Sequence, residues 1–194
     1  LIAENFVEEM LGLCQRPDVG AVGARLLYQD DTIQHAGVVV GFGGIAGHTF
    51  IGLHQAENSY FHRAMSTQDY SAVTAACMMT KKSLFEEAGG FTEELAVAFN
   101  DIDYCMKVRR AGKLVAYNPY ALLYHYESKS RGLENTPEKV ARFTREIRIF
   151  AERWPEILRD GDPYYNPNLT LRKSNFALRD LKKEGIGEPY RLEV

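Results

Sequence analysis

Apolar and polar positions alternate with two distinct periods along the chain. Residues 4–15 place Phe6, Val7, Met10, Leu11, Leu13 and Cys14 in a broad stripe that Pro17 stops, which predicts a helix. Val19-Gly-Ala-Val-Gly-Ala-Arg-Leu-Leu27 is almost entirely apolar or small, the pattern of a strand covered on both faces. After a turn at Asp30-Asp31, residues 32–40 read as a second strand and residues 71–80 as a buried one. Residues 81–88 read as a short helix closed by Gly89-Gly90, and residues 101–111 as a helix with Gly112 just past its end. Residues 114–117 form a strand halted by Asn118-Pro119, and residues 120–126 a further extended piece. The clearest helix covers residues 137–154, where Val140, Phe143, Ile147, Phe150 and Trp154 recur at alternating spacings of three and four, the stripe of a core-packed helix. A turn-rich cap at residues 163–168 and a last helix at 176–183 complete the pattern.

Strands alternating with helices predict an α/β fold. A full doubly wound domain would need more parallel strands than the 194 residues supply, and Leu1 opens directly onto a helical pattern, so the chain reads as part of a longer protein. Two stretches break the periodicity. Residues 41–47 are rich in glycine, and residues 49–70 form a long surface excursion of a length that is often functional.

Charge narrows the function classes. Twenty-three Lys and Arg against 26 Asp and Glu leave a net charge of -3, which gives no support to a nucleic-acid partner. Cys14, Cys77 and Cys105 are odd in number and far apart, which argues against a disulfide framework or a thiolate zinc site and fits the cytoplasm. No apolar run approaches the ~20 residues of a membrane span.

The acidic group Asn100-Asp-Ile-Asp103 opens a predicted helix. There Asn100 can cap and a carboxylate can interact with the helix dipole, or a carboxylate can serve as a general base. Asp101 and Asp103 are two apart and do not share a face, so one can meet a cleft while the other secures local structure. His125 follows the aliphatic run at 121–124, at the carboxyl edge where α/β sheets bind ligands, and can ligate a metal, meet a phosphate or satisfy a loop carbonyl. His35, His48, His54 and His62 show no zinc spacing. The glycines at 41–47 lack the residues of a phosphate loop, no nucleophile elbow surrounds Ser71 or Thr74, and Lys129, Arg131 and Lys139 are basic groups that could meet phosphates.

An ordered set of segments carries a resemblance. It runs from Asp18-Val-Gly-Ala-Val-Gly-Ala-Arg-Leu-Leu27 and Thr32-Ile-Gln-His-Ala-Gly37 through Ala72-Val-Thr-Ala-Ala-Cys77 and Phe85-Glu-Glu-Ala-Gly-Gly-Phe91. It continues with Ala98-Phe-Asn-Asp-Ile-Asp-Tyr104, Arg110-Ala-Gly112, Leu123-Tyr-His-Tyr-Glu-Ser-Lys-Ser-Arg-Gly132 and Tyr164-Tyr-Asn-Pro-Asn168. Together these resemble the inverting glycosyltransferases of family 2, in the bacterial branch that builds O-antigens and other surface polysaccharides.

The resemblance implies a partial GT-A fold without its N-terminal nucleotide-binding units, with residues 1–135 as the acceptor-side part and 136–194 as a helical extension. It implies that Asp101 is the base that activates an acceptor hydroxyl, with Asn100 where the family usually has Glu and Lys107 where Arg is common. It sets Asn100, Asp103, Ala76 and Cys77 along the site, with Ala76 and Cys77 on a strand bordering the acceptor and donor sugar. His125 matches a histidine that helps hold the metal and diphosphate in some relatives. Residues 41–70 would be an insertion near the acceptor cleft. The family's Asp-x-Asp motif, which binds Mn2+ or Mg2+ and the donor diphosphate, would precede residue 4 and is absent from the chain. The implied partners are a nucleotide-sugar donor and a glycan or lipid-linked glycan acceptor, with peripheral association at the inner face of the cytoplasmic membrane. The rival readings are a non-enzymatic carbohydrate-binding or assembly module, with Tyr120, Tyr124, Tyr126 or Trp154 as stacking groups, and a different nucleotide-dependent α/β enzyme.

Overall fold

The computed structural model describes residues 3–126 and 136–185. The end of the resembling segment at Glu127–Gly132, with Lys129 and Arg131, and the boundary drawn at residue 135 lie outside the described residues.

Strand β1 (Val19–Leu27) is buried along its whole length, as its apolar composition requires. It pairs in parallel with β7 (Leu114–Tyr124), and its other edge is shared end to end by two antiparallel partners. Its first half meets β6 (Met78–Thr80) and its last two residues meet β2 (Ile33–His35). The short β5 (Gln68–Asp69) covers part of the far edge of β7. The result is a mixed sheet in an α/β chain.

Alternation along β1 sends Val22, Ala24 and Leu26 to the face covered by helix α1 (Phe6–Cys14), where Met10 and Cys14 are buried. Ala21 and Leu27 join the opposite cluster with Ile102, Cys105 and Val108 of α3 (Asn100–Arg110). That larger cluster also takes in Phe150, Trp154, Tyr165, Leu169, Leu171 and Phe176, so residues on both sides of position 135 share one core. Gly23 has a specific task on this face: a Cβ there would lie 2.4 Å from Val73 Cβ. Its absence lets the segment around Val73 lie directly on the sheet.

The expected strand at 32–40 is two strands. Gly37 takes φ 102, and its missing Cβ would sit 2.3 Å from the Tyr70 ring, so the chain turns there. The second piece, β3 (Val38–Val40), leaves the main sheet and pairs with β4 (Ala46–His48) in a separate hairpin. The glycines between them make its turn, and Phe42 within it is buried against Tyr165 and Phe176. The expected strand at 71–80 shrinks to β6, because Ala75–Cys77 wind into a 3₁₀ turn in which the Ala76 N–H is accepted by Thr74 Oγ1. Ala76 and Cys77 therefore sit on a turn and not on a strand.

Asn118-Pro119 interrupts pairing without ending the strand. Ala24 pairs with Asn118 and Arg25 with Leu122, so residues 119–121 bulge out, where the N–H that proline lacks is not needed. Helix α2 (Lys82–Glu87) ends at Gly89-Gly90 as its sequence suggests. The residues at 176–183 do not form a helix: Phe176 takes φ 61 and Leu178 bridges to Leu169. Phe176 is pulled out of helical geometry by its place in an aromatic group with Phe50, Tyr60 and Tyr165. Helix α4 (Pro137–Arg153), followed by the short α5 (Pro155–Asp160), buries only the later part of its stripe. Phe150 and Trp154 are in the core, whereas Val140 and Phe143 stay exposed. Among the described residues no helix is long and apolar enough to cross a membrane.

Candidate active site

The head of α3 is held in an unusual geometry. Phe99, immediately before the helix, takes φ 64, a left-handed conformation that costs a non-glycine residue free energy. Helix α4 holds it there. The Phe99 ring packs between Phe143 and Phe150, with centroids 5.6 Å away in each case. Glu146, fully buried, accepts the backbone N–H groups of Val97 at 3.3 Å and Ala98 at 2.8 Å. Asn100 is the first residue of α3, and no side chain caps the helix, which corrects its expected role as the cap.

The two carboxylates of this turn divide their tasks. Asp103 is fully buried and faces four donors. Its Oδ1 accepts from Arg153 Nε and Trp154 Nε1, each at 2.8 Å, and its Oδ2 accepts from Thr92 Oγ1 at 2.6 Å and pairs with Lys107 Nζ at 3.2 Å. Burial pushes the Asp103 carboxyl upward. The hydrogen bonds from Thr92, Trp154 and Arg153 and the charge of Lys107 outweigh it and hold the group below its ordinary value. Asp103 ties α3 to α4, and the bond it takes from Trp154, with Arg110 lying 4.2 Å over the indole, removes that ring from the stacking candidates.

Asp101 is only partly buried. Its Oδ2 accepts the Ala75 N–H at 3.0 Å and its Oδ1 the Ile102 N–H at 2.9 Å. Each oxygen keeps further acceptor capacity. Ala75 lies between Thr74 and Ala76, which line an open cleft of about 180 Å3 together with Tyr28, Gln34, His48, Ile51 and His125. Asp101 is thereby fastened to the backbone between two residues of the cleft lining, without being a lining residue itself.

His125 sits where β7 ends. Its backbone N–H bonds Leu27 O at 2.9 Å, and its Nδ1 meets Gln34 Oε1 at 2.9 Å. Since the amide oxygen can only accept, Nδ1 carries a proton in this contact, which leaves Nε2 as the nitrogen that could meet a ligand. Among the described residues no three His, Cys, Asp or Glu side chains gather around a point that could hold a metal, so these residues do not by themselves form such a site. Cys77 is half-buried, and burial pushes its thiol up, which disfavours the thiolate. Tyr120 is exposed in a separate hollow with Glu8 and Glu9, while Tyr124 donates to Asp31 Oδ1 and stacks on Tyr126.

The sequence offered no reason to group Tyr28, Gln34, His35, His48 and Thr74. His35 and His48 come from different strands, and their Nδ1 atoms meet at 3.0 Å. The Thr74 N–H approaches His35 Nε2 at 3.4 Å. Only the presence of Gln34 and His35 in the segment at 32–37 hinted at a role.

No family model matches the sequence, and no solved structure matches it. The chain is 52% identical over 180 residues to the uncharacterized protein y4gI of Sinorhizobium fredii (strain NBRC 101917 / NGR234), which covers 92% of this chain and 20% of that protein. It is 36% identical over 186 residues to the O-antigen biosynthesis protein RfbC of Myxococcus xanthus, covering 95% of this chain and 14% of that protein. The chain thus spans a fifth or less of the length of both curated relatives.

Proposed function

We propose that the chain is the acceptor-side part of an inverting glycosyltransferase of the family 2 type with a GT-A fold, working in the assembly of a surface polysaccharide. The observation that carries the reading is the division between two neighbouring carboxylates. Asp103 is consumed by four donors, whereas Asp101 is bonded to the backbone of Ala75, between two residues that line a cleft, with acceptor capacity to spare. The similarity to a protein named for O-antigen biosynthesis supports the same direction.

In this mechanism Asp101 takes the proton of an acceptor hydroxyl as its oxygen attacks the anomeric carbon of a nucleotide-sugar. The new C–O bond forms as the bond to the diphosphate breaks, with inversion and without a covalent enzyme intermediate. The two backbone N–H bonds to Asp101 hold the carboxylate still, so less reorganisation is needed during transfer. His125 would offer Nε2 to a divalent ion (Mn2+ or Mg2+), whose chemistry is to offset charge on the departing diphosphate. The remaining ligands, and those of the nucleotide, come from the rest of a longer protein.

The test is transfer by the full-length protein with a panel of nucleotide-sugars and divalent metal. Asp101→Asn should lower turnover by roughly 10²- to 10⁴-fold, the usual worth of a general base, with donor affinity unchanged. Full activity in that variant would remove Asp101 from the mechanism. Glycan binding without turnover in the wild type would favour a binding module. The 194-residue chain alone should show no transfer.

A further inference from the structure

Helix α3 begins without the device that usually fixes a helix head. No side chain caps it, and the first turn of an uncapped helix leaves N–H groups without partners and frays. Asp101 sits in that turn. Its bond to the Ile102 N–H is made within the turn, so of its two hydrogen bonds only the 3.0 Å contact with the Ala75 N–H reaches another segment. The chain just before the helix shows what steadies the turn. Phe99 O already accepts the Asp103 N–H at 2.8 Å, so the chain enters the helix through a residue at φ 64. A left-handed phenylalanine persists only where its surroundings impose that geometry. Here α4 imposes it. Phe143 and Phe150 flank the Phe99 ring, and the Glu146 carboxylate accepts the successive N–H groups of Val97 and Ala98. Glu146 is a costly way to fill space. It is fully buried, and its ion pair with Arg142, one turn earlier, is a long 4.0 Å. An apolar side chain there would avoid the desolvation of a carboxylate, but it could not bind two N–H groups.

We infer that Glu146 is a positioning residue for Asp101: by binding the backbone at 97–98 it sets the left-handed entry at Phe99, and through that entry the angle at which the first turn of α3 carries Asp101 against Ala75. The clamp takes the place of the missing cap. It also makes α4 part of the site, although α4 supplies none of the residues that line the cleft. Loss of the clamp frees the backbone of residues 97–99, the first turn of α3 moves with it, and the Asp101–Ala75 bond lengthens. Asp103 is held separately, by Thr92, Lys107, Arg153 and Trp154, so its network survives that loss. The effect of Glu146 on turnover rests on the proposed function; its control of the Asp101 carboxylate does not.

The experiment compares Glu146→Gln, which keeps one acceptor oxygen for two N–H groups, with Glu146→Ala, which keeps none. Two NMR signals of the 194-residue chain read the result. The sequence holds a single Thr-Ala pair, so 13C-threonine with 15N-alanine labelling isolates the Ala75 amide, and the single tryptophan supplies the Trp154 indole N–H. Asp101→Ala marks where the Ala75 signal falls when the bond is gone. The Ala75 signal should move part of the way there in Glu146→Gln and most of the way in Glu146→Ala, while the Trp154 signal, which reports its 2.8 Å bond to Asp103, stays in place. In the full-length protein, kcat should fall by about tenfold or more in Glu146→Ala and by less in Glu146→Gln, with KM for donor and acceptor unchanged within about threefold. Glu146→Gln decides the matter if Glu146→Ala does not fold. An Ala75 signal that stays at its wild-type position would overturn the inference. So would Ala75 and Trp154 signals that move together, which is general loosening, or a loss of transfer confined to KM. Full kcat in the Glu146 variants beside a large loss in Asp101→Asn would overturn it as well. If Asp101→Asn leaves transfer intact while the Ala75 signal moves as expected, the proposed base fails and the control of Asp101 by Glu146 stands.

Discussion

Replacing Asp103 by Asn should unfold the protein far more readily than replacing Asp101, although the two residues share a helical turn. Asp103 has four donors on two oxygens, and an amide keeps only one acceptor oxygen. With that oxygen left facing Arg153 and Trp154, the amide nitrogen faces Thr92 and Lys107. The Thr92 hydroxyl can reverse and accept, but Lys107 cannot; its side chain is only 15% exposed, and it keeps just its bond to Gly90 O. Breaking a buried ion pair on one side costs about 3–5 kcal/mol, and for a chain of this length that is on the order of 10 °C in Tm. Asp101→Asn alters two backbone hydrogen bonds at a partly exposed group and should cost about 1 kcal/mol or less. Urea unfolding followed by circular dichroism measures both. A loss below about 1 kcal/mol for Asp103→Asn, or equal losses for the two variants, would refute the division of tasks on which the site depends. The pH dependence supplies an independent check. The folded-state value of Asp103 is lowered, so its contribution is fully present above pH 3.8 and lost as pH falls through the folded value.

Three further outcomes follow from other parts of the fold. Asp162 is buried; that burial raises its carboxyl above the ordinary value, against hydrogen bonds from Val40, Ser71 and Tyr164 and the charge of Arg109. The folded state then binds the proton more readily, so stability should decline as pH rises above 3.8, and Asp162→Asn should remove that decline; equal slopes in both proteins would contradict it. Gly37→Ala should cost at least about 2 kcal/mol in urea unfolding, because the new Cβ meets the buried Tyr70 ring at a positive φ. Burial pushes the Cys105 thiol up to about 12, so a thiol reagent should label the half-buried Cys77 first and reach Cys105 only on unfolding; equal labelling rates would show that the core opens in the native state.

Local pattern was enough for the elements whose partners add nothing unexpected. The unbroken apolar run at 19–27 could only be a fully covered strand, and the glycines after α2 and α3 could only mark their ends. The acidic turn at 100–103 was legible as a site because two carboxylates open one helix. Which carboxylate was structural was not legible, since the answer lies in Arg153 and Trp154, half a hundred residues away. The strand expected at 32–40 broke because Tyr70 occupies the space beside Gly37, and the helix expected at 176–183 failed because the Phe176 ring is better buried among Phe50, Tyr60 and Tyr165 than on a helix face. Periodicity registers one element's own faces; it carries no information about long-range neighbours. His35 and His48 show the same limit. Their spacing in the chain matches no ligand motif, and only the hairpin that leaves the main sheet brings their ring nitrogens into contact. The sequence by itself determined the α/β class, the central strand and the acidic helix head. The tertiary structure decided which polar groups face the cleft, because side-chain partners across the core and not local propensity choose between burial in a hydrogen-bond network and exposure at a site.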